Sequence, residues 1–319
     1  MSAGSSSAAP PSPDSAPPLP SPPAPAPDVG RLFCFGLGFS ALALARRLAA
    51  SGWAVAGTTR SAEKAATLTA EGIAAYVFDR AHPLPEAALA GTTHLLVSIA
   101  PDGEGEGAGD PALDRYAADI AALPGLAWIG YLSTTGVYGD WQGAEVDEES
   151  ELRGAKGRNR RRIEAEADWL ALHADHGLPV HVFRLAGIYG PGRCALDAVR
   201  SGRARRIVRP GHLFSRIHVD DIAGVLQASI ARPNPGRIYN VCDDEPAPAA
   251  EVTAYACKLL GVQPPPLVAF EDAGLSAMAA SFWEDNRLVS NRRLHEELGV
   301  SLAYPNYRVG LEAILAAAR

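Results

Sequence analysis

Short apolar runs alternate with amphipathic stretches over the first two thirds of the chain. The first run, Leu32-Phe33-Cys34-Phe35, is continuous, which is typical of a strand buried on both faces of a sheet. Five further strands are predicted at 53–57, 74–78, 94–98, 126–132 and 179–185. Helices are predicted at 41–51, 61–71, 112–122 and 163–175. This alternation predicts βαβ units with right-handed crossovers, a parallel sheet and helices on both of its faces.

Beyond Tyr189 the pattern becomes irregular. Helices are predicted at 219–230, 250–260 and 291–298, with a strand at 237–241 and a last helix at the C-terminus. We therefore expect an α/β core over 30–189, to which 219–245 returns. The remaining segments, 190–218 and 246–319, are expected to form a small C-terminal substrate-binding lobe.

The first 29 residues consist almost entirely of Ser, Ala and Pro. Proline denies the backbone regular hydrogen bonding, and such a segment has too few apolar side chains to form a core. We predict a disordered tail over 1–29. Its composition favours a solvated extension over a partner-binding segment.

The overall composition narrows the classes of function. The chain has 319 residues, of which 47% are hydrophobic, so it is long enough to bury a large core. Its net charge of −7 argues against a nucleic-acid partner, because such proteins usually carry a basic domain. The four cysteines lie far apart, so we expect neither a metal site nor disulfides, but the reduced thiols of a cytoplasmic protein. No apolar run is long enough to span a bilayer, and no membrane partner is expected.

A glycine-rich turn follows the first strand and opens the first helix. It has the sequence FGLGFSA at 35–41. The G-x-G-x-x-A pattern indicates dinucleotide binding because it lies between a strand and a helix. Gly36 and Gly38 allow the backbone to approach a pyrophosphate, and Ala41 lets the helix pack against the sheet. The helix amino terminus, with Phe39 and Ser40 in its first turn, offers free amides and a positive dipole end. The turn predicts a Rossmann-type, doubly wound dinucleotide-binding core.

The end of the second predicted strand indicates which dinucleotide is bound. An acidic residue there bonds the ribose of NAD, whereas arginine accommodates the 2′-phosphate of NADP. This chain has Thr59, Arg60 and Ser61 at that point, with Lys64 one turn later and no carboxylate. NADP(H) is therefore the predicted cofactor, with NAD as the alternative. Asp79, after the third strand, is predicted to accept from the adenine amino group, and a loop carboxylate is the competing interpretation.

Four later segments carry a family resemblance. They are 132–140 (LSTTGVYGD), 184–193 (RLAGIYGPGR), 216–222 (RIHVDDI) and 238–244 (IYNVCDD). In this order and spacing, they resemble the epimerase/dehydratase-like branch of the extended short-chain dehydrogenase/reductase superfamily. The resemblance extends from about Arg31 to the C-terminus and is closest to an atypical subgroup of NAD(P)-dependent oxidoreductase-like proteins. It implies a doubly wound sheet of about seven strands, a small C-terminal lobe and a homodimer formed through paired helices.

The resemblance also implies residue roles. Thr134, four residues before Tyr138, matches the family's catalytic Ser/Thr. Arg193 and His218 match positions where the substrate lobe meets the cofactor. The positions that match the surroundings of the cofactor ribose and nicotinamide are Ser98, Ala100, Leu185, Gly187 and Ile188.

The sequence departs from the family at the Tyr-x-x-x-Lys pair that normally transfers the proton. None of the three lysines, Lys64, Lys156 and Lys258, has a tyrosine four residues before it. The segment 153–164 is rich in arginine and contains no tyrosine, and either Arg160 or Arg161 is predicted to take the place of the lysine. Arginine can supply charge but cannot exchange a proton usefully in a protein.

Other groups therefore become candidates for proton transfer. Tyr138 is the first candidate, with a structural role as its alternative. His218 titrates near neutrality and is a second candidate, but a structural histidine beside two aspartates is the interpretation that the sequence favours.

Two arginine clusters, at 153–162 and 200–209, favour either an anionic substrate or solvated helix faces. Acidic residues Asp102, Glu104, Glu106 and Asp110 lie in a Gly-rich loop that is predicted to be a mobile lid rim.

Two functions are compatible with these features. The first is an NADP-dependent oxidoreductase or epimerase for a small sugar-like or phosphorylated substrate, with Thr134 holding the reacting oxygen. The second is a non-catalytic NADP(H)-binding redox sensor or regulatory partner-binding protein, which the missing Tyr–Lys pair favours.

Overall fold

The computed structural model describes residues 29–102, 109–154 and 156–318, together with Met1. The predicted tail therefore lies outside the described residues, except for Met1 and Val29. Glu104 and Glu106 of the predicted lid rim also lie outside them.

The described residues form thirteen strands, ten α-helices and three short 3₁₀ helices. The strands are β1 (Arg31–Phe35), β2 (Ala54–Thr59), β3 (Ala74–Val77), β4 (His94–Val97), β5 (Trp128–Thr134), β6 (Glu145–Val146), β7 (Val180–Leu185), β8 (Gly187–Tyr189), β9 (Arg206–Val208), β10 (Arg216–His218), β11 (Ile238–Val241), β12 (Leu267–Ala269) and β13 (Leu288–Val289). The α-helices are α1 (Phe39–Ala50), α2 (Ala62–Ala70), α3 (Pro111–Ala121), α4 (Gly157–His176), α5 (Ala195–Arg200), α6 (Val219–Ala231), α7 (Ala249–Leu260), α8 (Ala277–Ala280), α9 (Arg292–Glu296) and α10 (Tyr307–Ala317). The 3₁₀ helices are Glu86–Leu89, Thr135–Tyr138 and Phe270–Asp272.

Seven strands form one parallel sheet in the order β11-β7-β5-β4-β1-β2-β3. The chain builds outward from β1 in one direction through β2 and β3, and then in the other direction from β4 to β11. This confirms the predicted doubly wound α/β fold. The order reverses between β1 and β4, and ligands of such sheets bind at the carboxyl ends of the strands at that point.

The two faces of the sheet bury different side chains because successive strand residues point to opposite sides. Leu32 and Cys34 pack in one hydrophobic cluster with Leu44 of α1. Phe33 and Phe35 pack in another with Trp169 of α4. The continuous apolar run of β1 is thus explained by helices on both faces.

The smaller elements lie outside the main sheet. Strands β8 and β10, β9 and β12, and β6 and β13 form three parallel two-stranded sheets. Helices α5, α7 and α10 share a separate apolar cluster around Leu196, Ala256 and Leu311. No helix among the described segments combines the length and apolar character that a membrane crossing requires.

Two helix starts differ from the prediction by more than one residue. Helix α1 begins at Phe39 rather than 41, because Gly38 adopts an extended conformation and forms the N-cap. Helix α4 begins at Gly157, six residues before the predicted start at 163. Its first turn is polar and rich in arginine, a good helix former that leaves no apolar period to detect.

Candidate functional site

The glycine turn is held between the ends of β2 and β4. The Gly36 amide donates to Oγ1 of Thr58 at 2.8 Å, and the Leu37 amide donates to the Thr58 carbonyl at 2.7 Å. Gly36 has a φ of +91°, and a Cβ at this position would lie 2.7 Å from Cγ2 of Ile99. Both the backbone conformation and the lack of space therefore require glycine at position 36.

Helix α1 begins directly after this turn. Its N-cap, Gly38, has no side chain to bond the amides of the first turn, so these amides are available to an anion. Ser40 and Ala41 are buried beneath the turn, and Phe39 is partly exposed beside it.

A cavity of about 570 Å³ opens beside the turn. It collects residues from the carboxyl ends of β1 to β4, as the strand reversal predicts. Eight residues that the sequence marks as cofactor-binding line it: Gly36, Gly38, Thr59, Arg60, Ser61, Asp79, Ser98 and Ala100. Lining residues outside that set are Leu37, Thr58, Lys64, Phe78, Arg80, Ile99, Pro101, Asp102 and Pro111.

Three cationic side chains line this cavity, Arg60, Lys64 and Arg80, and they differ in whether a carboxylate neutralises them. Arg80 bonds Asp102 at 2.6 Å and Asp114 at 2.7 Å. The Lys64 ammonium bonds only a neutral acceptor, the Leu37 carbonyl, at 2.7 Å. The exposed Arg60 guanidinium makes no hydrogen bond or ion pair with any described residue. The charges of Arg60 and Lys64 are therefore uncompensated.

Asp79 is engaged in its own turn. Its Oδ1 accepts from the amides of Ala81 and His82 and lies 2.8 Å from Nδ1 of His82. The hydrogen bond from His82 lowers the pKa of this carboxyl. These contacts favour the loop-carboxylate interpretation over adenine recognition.

Thr134 is the last residue of β5, at the carboxyl edge of the sheet. Its Oγ1 accepts from the Gly136 amide at 3.1 Å, and it pairs in register with Leu185 of β7. A Cβ built on Gly136 would lie 2.7 Å from the side-chain oxygen of Asn159 and 3.3 Å from Oγ1 of Thr134. Asn159, which sequence reasoning missed, therefore lies beside Thr134.

The arginines of α4 occupy three different environments. Arg160 is exposed and pairs with Glu164 at 2.8 Å, contacts that disfavour it as the replacement for the lysine. Arg161 is partly buried, and its Nε has no partner among the described residues. Arg162 instead reaches the carboxyl end of β5, where its Nη1 donates to the Leu132 carbonyl at 2.7 Å and to the Tyr131 hydroxyl at 3.1 Å. Arg162 is thus the cation that faces the strand end.

Position 158 is one helical turn before Arg162, where the usual spacing would put the tyrosine. Arg158 stands there instead; it is exposed, its guanidinium lies 4.2 Å from the ring centre of Phe282, and it donates to Oγ of Ser281. Arg158 and Arg162 thus stand four residues apart, which is the spacing of the usual pair.

Tyr138 lies in a buried hydrogen-bond network. Its hydroxyl donates to Oδ1 of Asn240 at 2.7 Å and accepts from Arg184 at 2.9 Å. Arg184 in turn pairs with Glu166 at 2.8 Å, and both side chains are 3% exposed. Burial raises the pKa of Tyr138 to about 12. The full burial of this side chain and the two partners of its hydroxyl favour the structural alternative for Tyr138 over proton transfer.

His218 is also buried. Its Nδ1 accepts from the Asp220 amide at 3.2 Å and so caps α6, while its ring packs against Tyr189 and Tyr304. Burial lowers the pKa of this histidine. A neutral capping histidine is the interpretation that these contacts favour over one that acts on a substrate.

The other residues assigned from the resemblance lie at strand ends. Leu185 is buried at the end of β7, while Gly187 is exposed and Ile188 half-buried in β8. The guanidinium of the exposed Arg193 lies 5.7 Å from the ring centre of Phe39. These residues lie outside the lining of the cavity beside the glycine turn.

The second arginine cluster is mostly bound to backbone carbonyls. Arg205 donates to Ala273, Arg206 to Pro265 and Arg209 to Trp283. These contacts favour a structural role over an anion site.

Across residues 29–102, 109–154 and 156–318, no group of three or more His, Cys, Asp or Glu side chains is arranged to hold a metal ion.

The chain is similar to several known proteins. Protein YeeZ of Escherichia coli K12 is 30% identical over 286 residues, which span 85% of this chain and 95% of YeeZ. A functionally unknown conserved protein from Silicibacter pomeroyi DSS is 49% identical, with a TM-score of 0.83 over 91% of this chain and 99% of that one. A structure provisionally assigned as an NAD-dependent epimerase/dehydratase, from Methylobacillus flagellatus, is 26% identical, with a TM-score of 0.63 over 91% of this chain and 98% of that one. No protein-family model matches the chain.

Proposed function

This chain belongs to the extended short-chain dehydrogenase/reductase superfamily, and we propose that it is an NADP(H)-dependent oxidoreductase. Its substrate is small, and the enzyme works without a Tyr-x-x-x-Lys pair. Members of this superfamily use a nicotinamide dinucleotide. The preference for the 2′-phosphorylated form is argued from this chain's own residues.

The uncompensated charges of Arg60 and Lys64 carry the proposal. Both lie in one cavity with the glycine turn. A 2′-phosphate adds about two negative charges to the ribose and matches the fork of an arginine. The end of β2 has no carboxylate to bond a free ribose hydroxyl. NADP(H) therefore gains interactions here that NAD(H) does not.

The residues fit the rest of such a cofactor. Gly36 and Gly38 have no side chains that would keep a ligand away from the backbone. The first turn of α1 has no side-chain cap, so its amides can bind a pyrophosphate. When bound, the nicotinamide supplies or accepts the hydride. Thr134 would hold the reacting oxygen through its hydroxyl, and Arg162 would place a positive charge at the same strand end.

A second candidate function is a non-catalytic NADP(H) sensor. One feature supports it: the chain has no Tyr-x-x-x-Lys pair, and Arg158 and Arg162, which stand at the same spacing, do not exchange protons usefully. The sensor would bind the cofactor with the same cavity but turn over no substrate.

Cofactor titration tests the proposal. We expect the protein to bind NADPH at least tenfold more tightly than NADH, as measured by nucleotide fluorescence. Arg60→Ala should weaken NADPH binding about tenfold, corresponding to one charge-assisted hydrogen bond of about 1.5 kcal/mol, and leave NADH unchanged.

Arg46→Ala is the matched control, because Arg46 is an exposed arginine that pairs with Glu71. It should leave both affinities unchanged. Tighter binding of NADH than of NADPH by the unmodified protein would reject the cofactor assignment.

A further inference from the structure

The side chains gathered at the end of β5 are donors that do not titrate near neutral pH. Thr134 supplies a hydroxyl, Asn159 an amide and Arg162 a guanidinium. Both hydrogen bonds that Arg162 makes with described residues come from Nη1, so its Nη2 and Nε donors remain for a ligand. Together these groups can stabilise an oxyanion but cannot deliver a proton to it on demand.

The hydroxyls of the two tyrosines in this region, Tyr131 and Tyr138, already form hydrogen bonds with other side chains. The Tyr131 hydroxyl accepts from Arg162, and burial raises the pKa of Tyr131 well above its usual range. The Tyr138 hydroxyl is held between Asn240 and Arg184. Neither one is placed to act as a general acid, a role that contributes about 10²–10⁴-fold in rate.

An acceptor whose chemistry makes an acid unnecessary therefore fits the described residues at this strand end. Hydride addition to a saturated ketone creates a localised alkoxide, which needs a proton as it forms. Addition to an α,β-unsaturated carbonyl creates an enolate, whose charge is spread over oxygen and carbon and which persists until water protonates it. A cationic acceptor such as an iminium is disfavoured, because it would approach Arg162 with like charge.

Resting on the NADP(H)-dependent function proposed above, we propose that the site reduces the carbon–carbon double bond of α,β-unsaturated carbonyl compounds. The C–H bond at C4 of the reduced nicotinamide breaks, and its hydride forms a new C–H bond at the β-carbon. The π electrons shift to give an enolate oxygen, which Thr134, Asn159 and Arg162 hold. A proton from water then joins the α-carbon, so that NADPH, acceptor and one proton give NADP⁺ and the saturated carbonyl.

Matched acceptor pairs test this inference. We expect NADPH oxidation with cyclohex-2-enone and cinnamaldehyde, and at least 100-fold smaller kcat/KM with cyclohexanone and 3-phenylpropanal. Deuteride from 4-deuterated NADPH should appear at the β-carbon by NMR, and deuterium from D₂O at the α-carbon. The value of kcat/KM should stay constant from pH 6 to 9, since no proton donor of the protein titrates in the step.

Variants at Thr134 link the activity to this site. Thr134→Ala should lower kcat with the enones by about 100-fold, the usual cost of losing one oxyanion donor, while the Kd of NADPH stays within twofold. Thr134→Ser, which keeps the hydroxyl, should retain most of the activity.

Three outcomes separate this inference from the function on which it rests. Formation of the allylic alcohol, or equal rates with the saturated partners, overturns the inference and leaves the oxidoreductase proposal standing. Tight NADPH binding with no turnover of any acceptor overturns the inference and favours the sensor. Absence of NADPH binding overturns the proposed function itself.

Discussion

The Lys64 ammonium donates a hydrogen bond to the carbonyl of Leu37, 2.7 Å away, inside the glycine turn. The first turn of α2 is thereby tied to the loop between β1 and α1. Lys64 is half-buried and also lines the cavity, so its charge has a fixed position rather than moving with a free side chain.

Removal of this charge should weaken cofactor binding. We expect Lys64→Met to raise the Kd of NADPH about tenfold, because a hydrogen bond from a charged group contributes about 1.5–3 kcal/mol and the site is partly open to solvent. Lys64→Arg keeps the charge and should cost less than threefold. Isothermal titration with both variants measures this, and equal losses in the two would mean that packing, not charge, is responsible.

Gly36 and Gly52 allow a matched test of the turn. Both have a positive φ, +91° and +88°, but a Cβ at Gly36 meets Ile99 whereas a Cβ at Gly52 meets nothing within 4 Å. Gly52→Ala should lower the free energy of unfolding by about 1–2 kcal/mol and leave the Kd of NADPH unchanged. Gly36→Ala should in addition raise the Kd at least tenfold. Chemical denaturation and nucleotide titration separate the two effects, and equal NADPH affinity in both variants would contradict a role for the turn in cofactor binding.

Tyr138 should matter for stability and not for turnover. Tyr138→Phe removes the hydroxyl that joins Asn240 to Arg184, and we expect it to lower the free energy of unfolding by about 1–3 kcal/mol. Tyr76→Phe is the control, since its half-buried hydroxyl bonds no described residue; its effect should stay within about 0.5 kcal/mol. If Tyr138→Phe instead cuts kcat a hundredfold with stability intact, the tyrosine transfers the proton after all.

Asp243 gives the protein a pH-dependent stability. Burial raises the pKa of this carboxyl to about 8, with Arg216 opposing the shift. The unfolded chain releases this proton near pH 4, but the folded chain keeps it, so rising pH favours the unfolded state between those values. Asp243→Asn cannot titrate. Its stability relative to the unmodified protein should therefore increase from pH 5 to pH 8, by at most about 1.4 kcal/mol per pH unit.

Thermal unfolding of both proteins at pH 5, 6.5 and 8 measures this difference. A difference in Tm that is the same at all three values would show that Asp243 ionises in the folded protein as freely as in water.

The main sheet was predictable because its strands are buried on both faces. The run Leu32-Phe33-Cys34-Phe35 needs no periodicity to be recognised, since every position is apolar. The residues at the ends of such strands, including Gly36, Thr59 and Ser98, then had to converge at one edge of a parallel sheet. The cavity beside the glycine turn follows from this topology.

The surroundings of Thr134 were not predictable in the same way. The sequence offered Arg160 or Arg161, whereas Arg162 reaches the strand end; the difference depends on where α4 begins, and a polar first turn gives no signal for that. The burial of Tyr138 depends on Asn240 and Arg184, which are 102 and 46 residues away along the chain. Only the folded arrangement shows that these partners occupy the hydroxyl.

The hydrogen bond from the Gly36 amide to the Thr58 hydroxyl joins the glycine turn directly to the end of β2. Arg60, two residues beyond Thr58, lines the cavity and has no hydrogen-bond or ion-pair partner among the described residues. Under the proposed function, exchange of the side chain at position 60 should therefore change the coenzyme preference while the glycine turn keeps its conformation. The residues that we propose for pyrophosphate binding would then be distinct from the residue that we propose for selecting NADP(H) over NAD(H).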